Sequence, residues 1–164
     1  VNTEYTFFWT GVFSQWYPAQ FVIDGVQYNC AEQYMMACKA LLFDDLTSYK
    51  KIMSTQFPHE QKNIGRNVTG FCVKDWIVVA RQRVYEGNYA KFTQNLKLQD
   101  KLVSTYGTVL VEASPFDKIW GIGLSINDAL STPVDQWKGT NWLGEVLTNV
   151  RDDIIVAINT SSNI

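Results

Sequence analysis

Glu32 and Lys39 are the charged side chains most out of keeping with their surroundings. They lie in Tyr28-Asn29-Cys30-Ala31-Glu32-Gln33-Tyr34-Met35-Met36-Ala37-Cys38-Lys39-Ala40, a stretch apolar nearly all round, which is the pattern of a buried helix. A carboxylate and an amine on such a helix must be paired, carry shifted pKa values, or face a cavity. Seven positions apart, they share one helix face with roughly 10 Å between them. Facing a cavity, the carboxylate can act as a general acid or base, or as an anion that stabilises a cationic transition state. The amine can hold a phosphate, or act as a nucleophile once desolvated. Structural roles compete with both. Asn29-x-x-Glu32 has capping-box spacing, with Asn29 as N-cap and Glu32 at N3, and Lys39 can snorkel to the surface.

Other stretches offer binding groups. Phe13-Ser14-Gln15-Trp16-Tyr17-Pro18 is an aromatic loop whose rings can stack on a flat ligand. Asp117-Lys118-Ile119-Trp120-Gly121-Ile122-Gly123 lacks the six-position dinucleotide fingerprint and no βαβ unit surrounds it. Its glycines beside Trp120 suit a backbone approaching a flat ligand, or a tight turn with Trp120 as a core plug. In Gly139-Thr140-Asn141-Trp142-Leu143-Gly144, Asn141 reads as an N-cap. The amides that follow make an anion site at a helix start, or ordinary capping with Gly144 allowing close packing. Arg66, after Gly65, is a second phosphate candidate, or half of a surface ion pair.

The elements that must position these groups read as mostly helix with a few short strands. Residues 5–12 are β-prone, and Phe21-Val22-Ile23 and Val26-Gln27-Tyr28 form a hairpin across the type I′ turn signal Asp24-Gly25. The Glu32 helix follows directly. Short helices are expected at 48–53 and from Pro58 to Gly65. A long helix capped by Asp75 is expected from Trp76 to Phe92, another over 96–106, a strand at 109–111, and a last helix from Trp142 to about Ile158. Residues 159–164 are polar and read as a frayed tail after a single domain over 1–158.

At 164 residues with 46% hydrophobic and 18% charged positions, the chain is long enough to bury a core and is not disordered. Net charge is -2 and no Lys/Arg run exists, which argues against general nucleic-acid binding while allowing a pocket for one small anion. The aromatic share of 14% fits either a ring-rich core or a stacking pocket. Cys30, Cys38 and Cys72 lack close metal spacing and read as buried thiols of a reducing compartment, so a cytoplasmic location is expected. His59 is the sole histidine, so no zinc site can be assembled, and no cofactor motif is present. No signal-peptide pattern and no membrane-length apolar run is visible. Oligomeric state is not legible.

Taken together and in order, these motifs resemble the NADAR superfamily, also called YbiA-like. The matching pieces are Phe13-Ser14-Gln15-Trp16-Tyr17, Asp24-Gly25, Ala31-Glu32-Gln33-Tyr34-Met35-Met36-Ala37-x-Lys39-Ala40, Ile64-Gly65-Arg66, Lys91-Phe92-x-Gln94-Asn95, Leu110-Val111-Glu112-Ala113-Ser114-x-x-Asp117-x-x-Trp120-Gly121-x-Gly123 and Gly139-x-Asn141-x-Leu143-Gly144-x-x-Leu147. Gln15 departs from the pattern, in which many relatives carry Asn. The resemblance implies a compact, single-domain α+β fold, mainly helical. It also implies an N-glycosidase that splits phosphoribosylamino-pyrimidines of the early riboflavin pathway, or that removes ADP-ribose from guanine. A non-catalytic module binding ADP-ribose or an NAD-derived nucleotide is the alternative. On this reading Phe13, Trp16, Tyr17, Trp120, Gly121 and Gly123 hold the heterocycle, and Arg66, Lys39, Asn141 and Gly144 hold phosphate. Glu32 stabilises the cation or activates water, and Asp117 orients the ribose hydroxyls. A second route has Lys39 form a Schiff base with the opened sugar.

Overall fold

The computed structural model describes residues 2–162. In chain order the elements are β1 (Glu4–Phe8), β2 (Phe21–Ile23), β3 (Val26–Tyr28), α1 (Ala31–Leu42), α2 (Leu46–Ser54), α3 (Pro58–Arg66), α4 (Val73–Thr93), α5 (Leu96–Val103), β4 (Thr108–Glu112), α6 (Ile126–Leu130), a 3₁₀ turn at Val134–Gln136, and α7 (Trp142–Ser161). This is the mainly helical α+β architecture expected from the sequence. Backbone contacts divide it into two units. One is Gln15–Leu96, and the other joins the residues up to Ser14 with those from Lys97 onward.

The Gln15–Leu96 unit is built around α1, against which α2, α3 and α4 all pack. Eight of its twelve residues are buried, because apolar side chains occur on every face of the helix. The preceding β2–β3 hairpin is antiparallel, with Phe21 opposite Tyr28. Its turn has positive φ at both Asp24 and Gly25, the type I′ geometry that the Asp-Gly pair favours. Phe21, Tyr28 and Tyr34 form a ring cluster with centroids 5.0–6.3 Å apart. α4 comes close to α1 at Gly87, where a Cβ would lie 2.8 Å from the Tyr34 ring.

Several expected boundaries move for identifiable reasons. α2 begins at Leu46, because Asp45 accepts from the Ser48 amide and caps it. α4 begins at Val73 after an extended Cys72, so Asp75 lies inside its first turn and does not cap it. Its buried side is Trp76, Ala80, Val84, Gly87, Asn88 and Lys91. α5 stops at Val103, and the helix at 126–130 was not expected.

In the other unit β1 and β4 pair in parallel, from Glu4 opposite Thr108 to Phe8 opposite Glu112, with α7 packed on β4. Its core joins Val111, Ala113, Ile122, Leu124 and Ala129 to Tyr5, Phe7 and Trp137. α7 runs to Ser161, past the expected end at 158, so 159–161 are helical and not frayed. Residues 163–164 of the expected tail lie outside the described residues.

Candidate active site

The start of α1 is held by amides, and not in the register expected. The N-cap residue is Cys30, in extended conformation, which places Glu32 at N2 and Gln33 at N3. Gln33 takes the place foreseen for Glu32: its Oε1 accepts the Asn29 amide at 2.8 Å. Its Nε2 donates to the Ile52 carbonyl, and Gln61 donates to both the Asn29 side chain and the Thr55 carbonyl. These bonds tie the helix start to α2 and α3. The Glu32 amide, one of the N-terminal donors a helix cannot satisfy itself, donates to the Gln15 carbonyl at 3.0 Å. Glu32 is therefore a buried carboxylate, 6% exposed, at a helix N-terminus where a negative charge is favoured.

Lys39 lies in its field. Burial lowers the Lys39 ammonium from its ordinary value, Glu32 opposes that shift, and Arg66 adds to it. Lys39 thus feels both the Glu32 carboxylate and the Arg66 guanidinium, across α1 and the end of α3. Gly65 permits the approach, since a Cβ there would sit 2.1 Å from Met36 Sδ. Lys39 Nζ also stands over the Phe71 ring, 4.4 Å from its centroid, and keeps part of its charge interaction in an apolar setting. Arg66 is exposed. A buried anion that acts on a nearby cation can stabilise positive charge on a reacting carbon while the cation holds a phosphate.

On the α4 side the unit places Gln15 and Tyr17 with residues to which the sequence reading gave no site role. Lys91 is fully buried. Burial pushes its ammonium down from 10.5 to about 7, with Cys30 acting against it. Its Nζ lies 5.8 Å from the Tyr17 ring centroid. Asn88, one turn earlier, donates through Nδ2 to Gln15 Oε1 and to the Val84 carbonyl, each at 2.8 Å. Trp16 is 42% exposed, with Lys62 Nζ 5.8 Å from its ring. Cys30 donates to Gln61 Oε1 and burial raises its thiol to about 11, so it is no thiolate nucleophile near neutrality. The signal for Asn88 and Lys91 was spacing: with Ala80 and Val84 they follow helical periodicity onto the buried face.

The remaining expected residues belong to the other unit, where their polar groups serve its own backbone. Asn141 has φ of 54° and makes no side-chain cap. Its Oδ1 accepts the Glu112 amide and its Nδ2 donates to the Leu110 carbonyl, so it completes β4 as a neighbouring strand would. The amides of Trp142 and Leu143 donate to the carbonyls of Ile119 and Trp120, which corrects the expectation of open donors for an anion. A Cβ on Gly144 would lie 2.1 Å from the Leu110 carbonyl, so this glycine serves close packing. Asp117 Oδ1 accepts the amides of Ile119 and Trp120 and shapes the turn. Gly121 lets the Glu112 and Asp117 carbonyls approach, and Gly123 has positive φ. Trp120 packs edge-on against Trp142, and Phe13 against Phe8. Among the described residues, no three His, Cys, Asp or Glu side chains converge as a metal site would require.

The architecture is that of the mainly helical α+β protein YbiA of E. coli. The NMR structure of that protein superposes with a TM-score of 0.77 at 26% identity, covering 96% of this chain and 89% of the other. The NADAR domain matches residues 7–155, a range that runs through both units. The chain belongs to the NADAR family. It is 44% identical over 147 residues to the N-glycosidase R617 of Acanthamoeba polyphaga mimivirus, covering 87% of this chain and 86% of the relative. It is also 33% identical over 110 residues to the riboflavin biosynthesis protein PYRR of Arabidopsis thaliana, covering 65% of this chain but 16% of that longer protein.

Proposed function

We propose that this chain is an N-glycosidase that hydrolyses the ribose–nitrogen bond of a phosphorylated riboside bearing a flat heterocycle. The substrate class we favour is a phosphoribosylamino-pyrimidine of the early riboflavin pathway, with N-ADP-ribosylated guanine as the alternative substrate. The observation that carries this is the buried Glu32 carboxylate acting on the half-buried Lys39 along the same helix face, with Arg66 also acting on Lys39. The N-glycosidase relative supports the reaction class, and the riboflavin-pathway relative favours the pyrimidine ribotide.

The chemistry follows from charge development. As the C–N bond breaks, its electron pair leaves with the heterocyclic amine and the ribose carbon becomes cationic. The Glu32 anion stabilises that cation and takes a proton from the attacking water, and a proton is returned to the leaving nitrogen, which departs as the neutral amine. Lys39 and Arg66 hold the phosphate, and Trp16 and Tyr17 stack on the heterocycle. The products are the free amine and the sugar phosphate. The proposal uses residues of the Gln15–Leu96 unit alone.

The Lys91 amine, lowered to about 7, favours one second route over its Lys39 version. The sugar ring opens to an imine, Lys91 adds and expels the heterocyclic amine, and water then hydrolyses the new Schiff base to return the lysine. Borohydride added during turnover, followed by peptide mass spectrometry, separates the routes: a reduced adduct on Lys91 selects the covalent one. The primary test is incubation with both substrate classes, scoring free base and sugar phosphate. Cleavage of neither refutes the hydrolase reading. Binding without product, unchanged by Glu32→Gln, would instead identify a non-catalytic nucleotide-binding module.

A further inference from the structure

Asn88 is buried with 0% exposure, yet its Oδ1 meets no donor among the described residues. The orientation of the amide is not arbitrary. The Val84 carbonyl can only accept, so the atom 2.8 Å from it must be Nδ2. The second Nδ2 hydrogen goes to Gln15 Oε1. Both donors are thereby used, and the acceptor lies on the face of α4 that carries Lys91 one turn later. Leaving a buried amide oxygen without a donor is costly, and a polar partner on a ligand would remove that cost.

The surroundings say what kind of partner fits. Gln15 begins Gln15-Trp16-Tyr17, and its Nε2 lies 3.9 Å from Met35 Sδ. Lys91 Nζ lies 5.8 Å from the Tyr17 ring. Gln15, which holds the amide, thus lies beside Trp16 and Tyr17 in the chain and near Met35, groups of the kind that line a flat heterocycle. Lys39 feels the charges of Glu32 and Arg66 instead, the end suited to phosphate.

We propose that Asn88 is a specificity-determining residue whose Oδ1 accepts a hydrogen bond from an exocyclic amine of the substrate heterocycle, with Gln15 holding the amide in place. This rests on the reading of Gln15-Trp16-Tyr17 as the heterocycle end of the site. An amino-substituted pyrimidinone satisfies the acceptor; the same ring without the amine leaves it unpaired. Discrimination of this kind is strong because the penalty falls on the wrong ligand.

The test uses the unaltered chain and two free heterocycles, 2-aminopyrimidin-4-one and pyrimidin-4-one, with dissociation constants from NMR titration. The aminated ring is expected to bind about tenfold more tightly. Asn88→Leu should abolish the preference in protein whose circular dichroism is unchanged. Equal binding of the two rings, or no binding of either, overturns the assignment whether or not the chain cleaves a ribotide. A clear preference without any cleavage upholds Asn88 as a reader of the heterocycle and refutes the hydrolase reading separately.

Discussion

Replacing Lys91 by methionine should stabilise the chain, by an amount that depends on pH. Lys91 is fully buried, and burial lowers its ammonium from 10.5 to about 7. The folded chain gives up this proton near neutrality, while the unfolded chain holds it until about pH 10.5. Between these values the unfolded state binds more protons, so stability rises with pH. It is lost again as pH falls toward the folded value. At pH 7 the penalty on the folded state is on the order of 4 kcal/mol, and by pH 9 it has fallen by roughly 2 kcal/mol. Methionine fills nearly the same space without a charge. Urea unfolding of both proteins from pH 6 to 9 should show the variant ahead by a margin that is widest at pH 6–7. That margin should narrow by roughly 2 kcal/mol at pH 9. Cys30, pushed up to about 11 in the folded chain, is common to both proteins, so the titration of its unfolded thiol cancels from the margin. Parallel pH dependence of the two proteins would refute the reasoning, whatever their absolute stabilities. A lysine retained at such a cost fits a functional amine, so the stabilised variant is also expected to lose turnover if the covalent route operates.

Glu32→Gln should lower kcat by about 100- to 1000-fold, with substrate affinity by calorimetry within a few-fold of the native chain. Lys39→Met and Arg66→Gln should each raise KM about tenfold with kcat little changed, and a substrate lacking the phosphate should make the three proteins alike. Gly144→Ala puts a Cβ 2.1 Å from the Leu110 carbonyl. Backbone on both sides cannot yield cheaply, so urea unfolding should show a loss of about 3 kcal/mol. Gly65→Ala meets instead the flexible end of Met36, and its loss should be smaller than that of Gly144→Ala in the same assay.

What the sequence reveals here depends on how local the cause is. The hairpin was legible because the φ angles of Asp24 and Gly25 follow from two adjacent residues. α1 was legible because its apolar residues surround the axis, and it is buried accordingly. Its cap was not, since the chain shifts the expected register by one. The Gln15 carbonyl receives the Glu32 amide and Gln33 reaches back to Asn29, so a contact from the preceding loop outweighs the Asn-x-x-Glu spacing. Asn141 failed for the same reason over a longer distance. Its side chain is a good cap by type, yet it pairs with Glu112 and Leu110 of β4, and two bonds to a strand outcompete one to its own helix. Among the expected residues, Lys39 lies within reach of the charges of Glu32 and Arg66. Lys91 and Asn88 were missed because their polarity hid their place in an otherwise apolar helical stripe.

The two lysines show how the same side chain is given different work. At Lys39 burial and Arg66 lower the ammonium while Glu32 resists, so a carboxylate defends its charge. A phosphate arriving beside it would add negative potential and defend that charge further, which suits an anion ligand and works against a nucleophile. At Lys91 burial is the largest influence, with Cys30 acting against it. An uncharged heterocycle brings no anion to restore the proton, so the amine remains available to an electrophilic carbon near neutral pH. The assignment of covalent chemistry thus turns on which end of the substrate each lysine meets. That makes the borohydride experiment directional: an adduct on Lys39 in place of Lys91 would mean that the phosphate and heterocycle ends are reversed, and would remove the basis for reading Asn88 as a contact to the base.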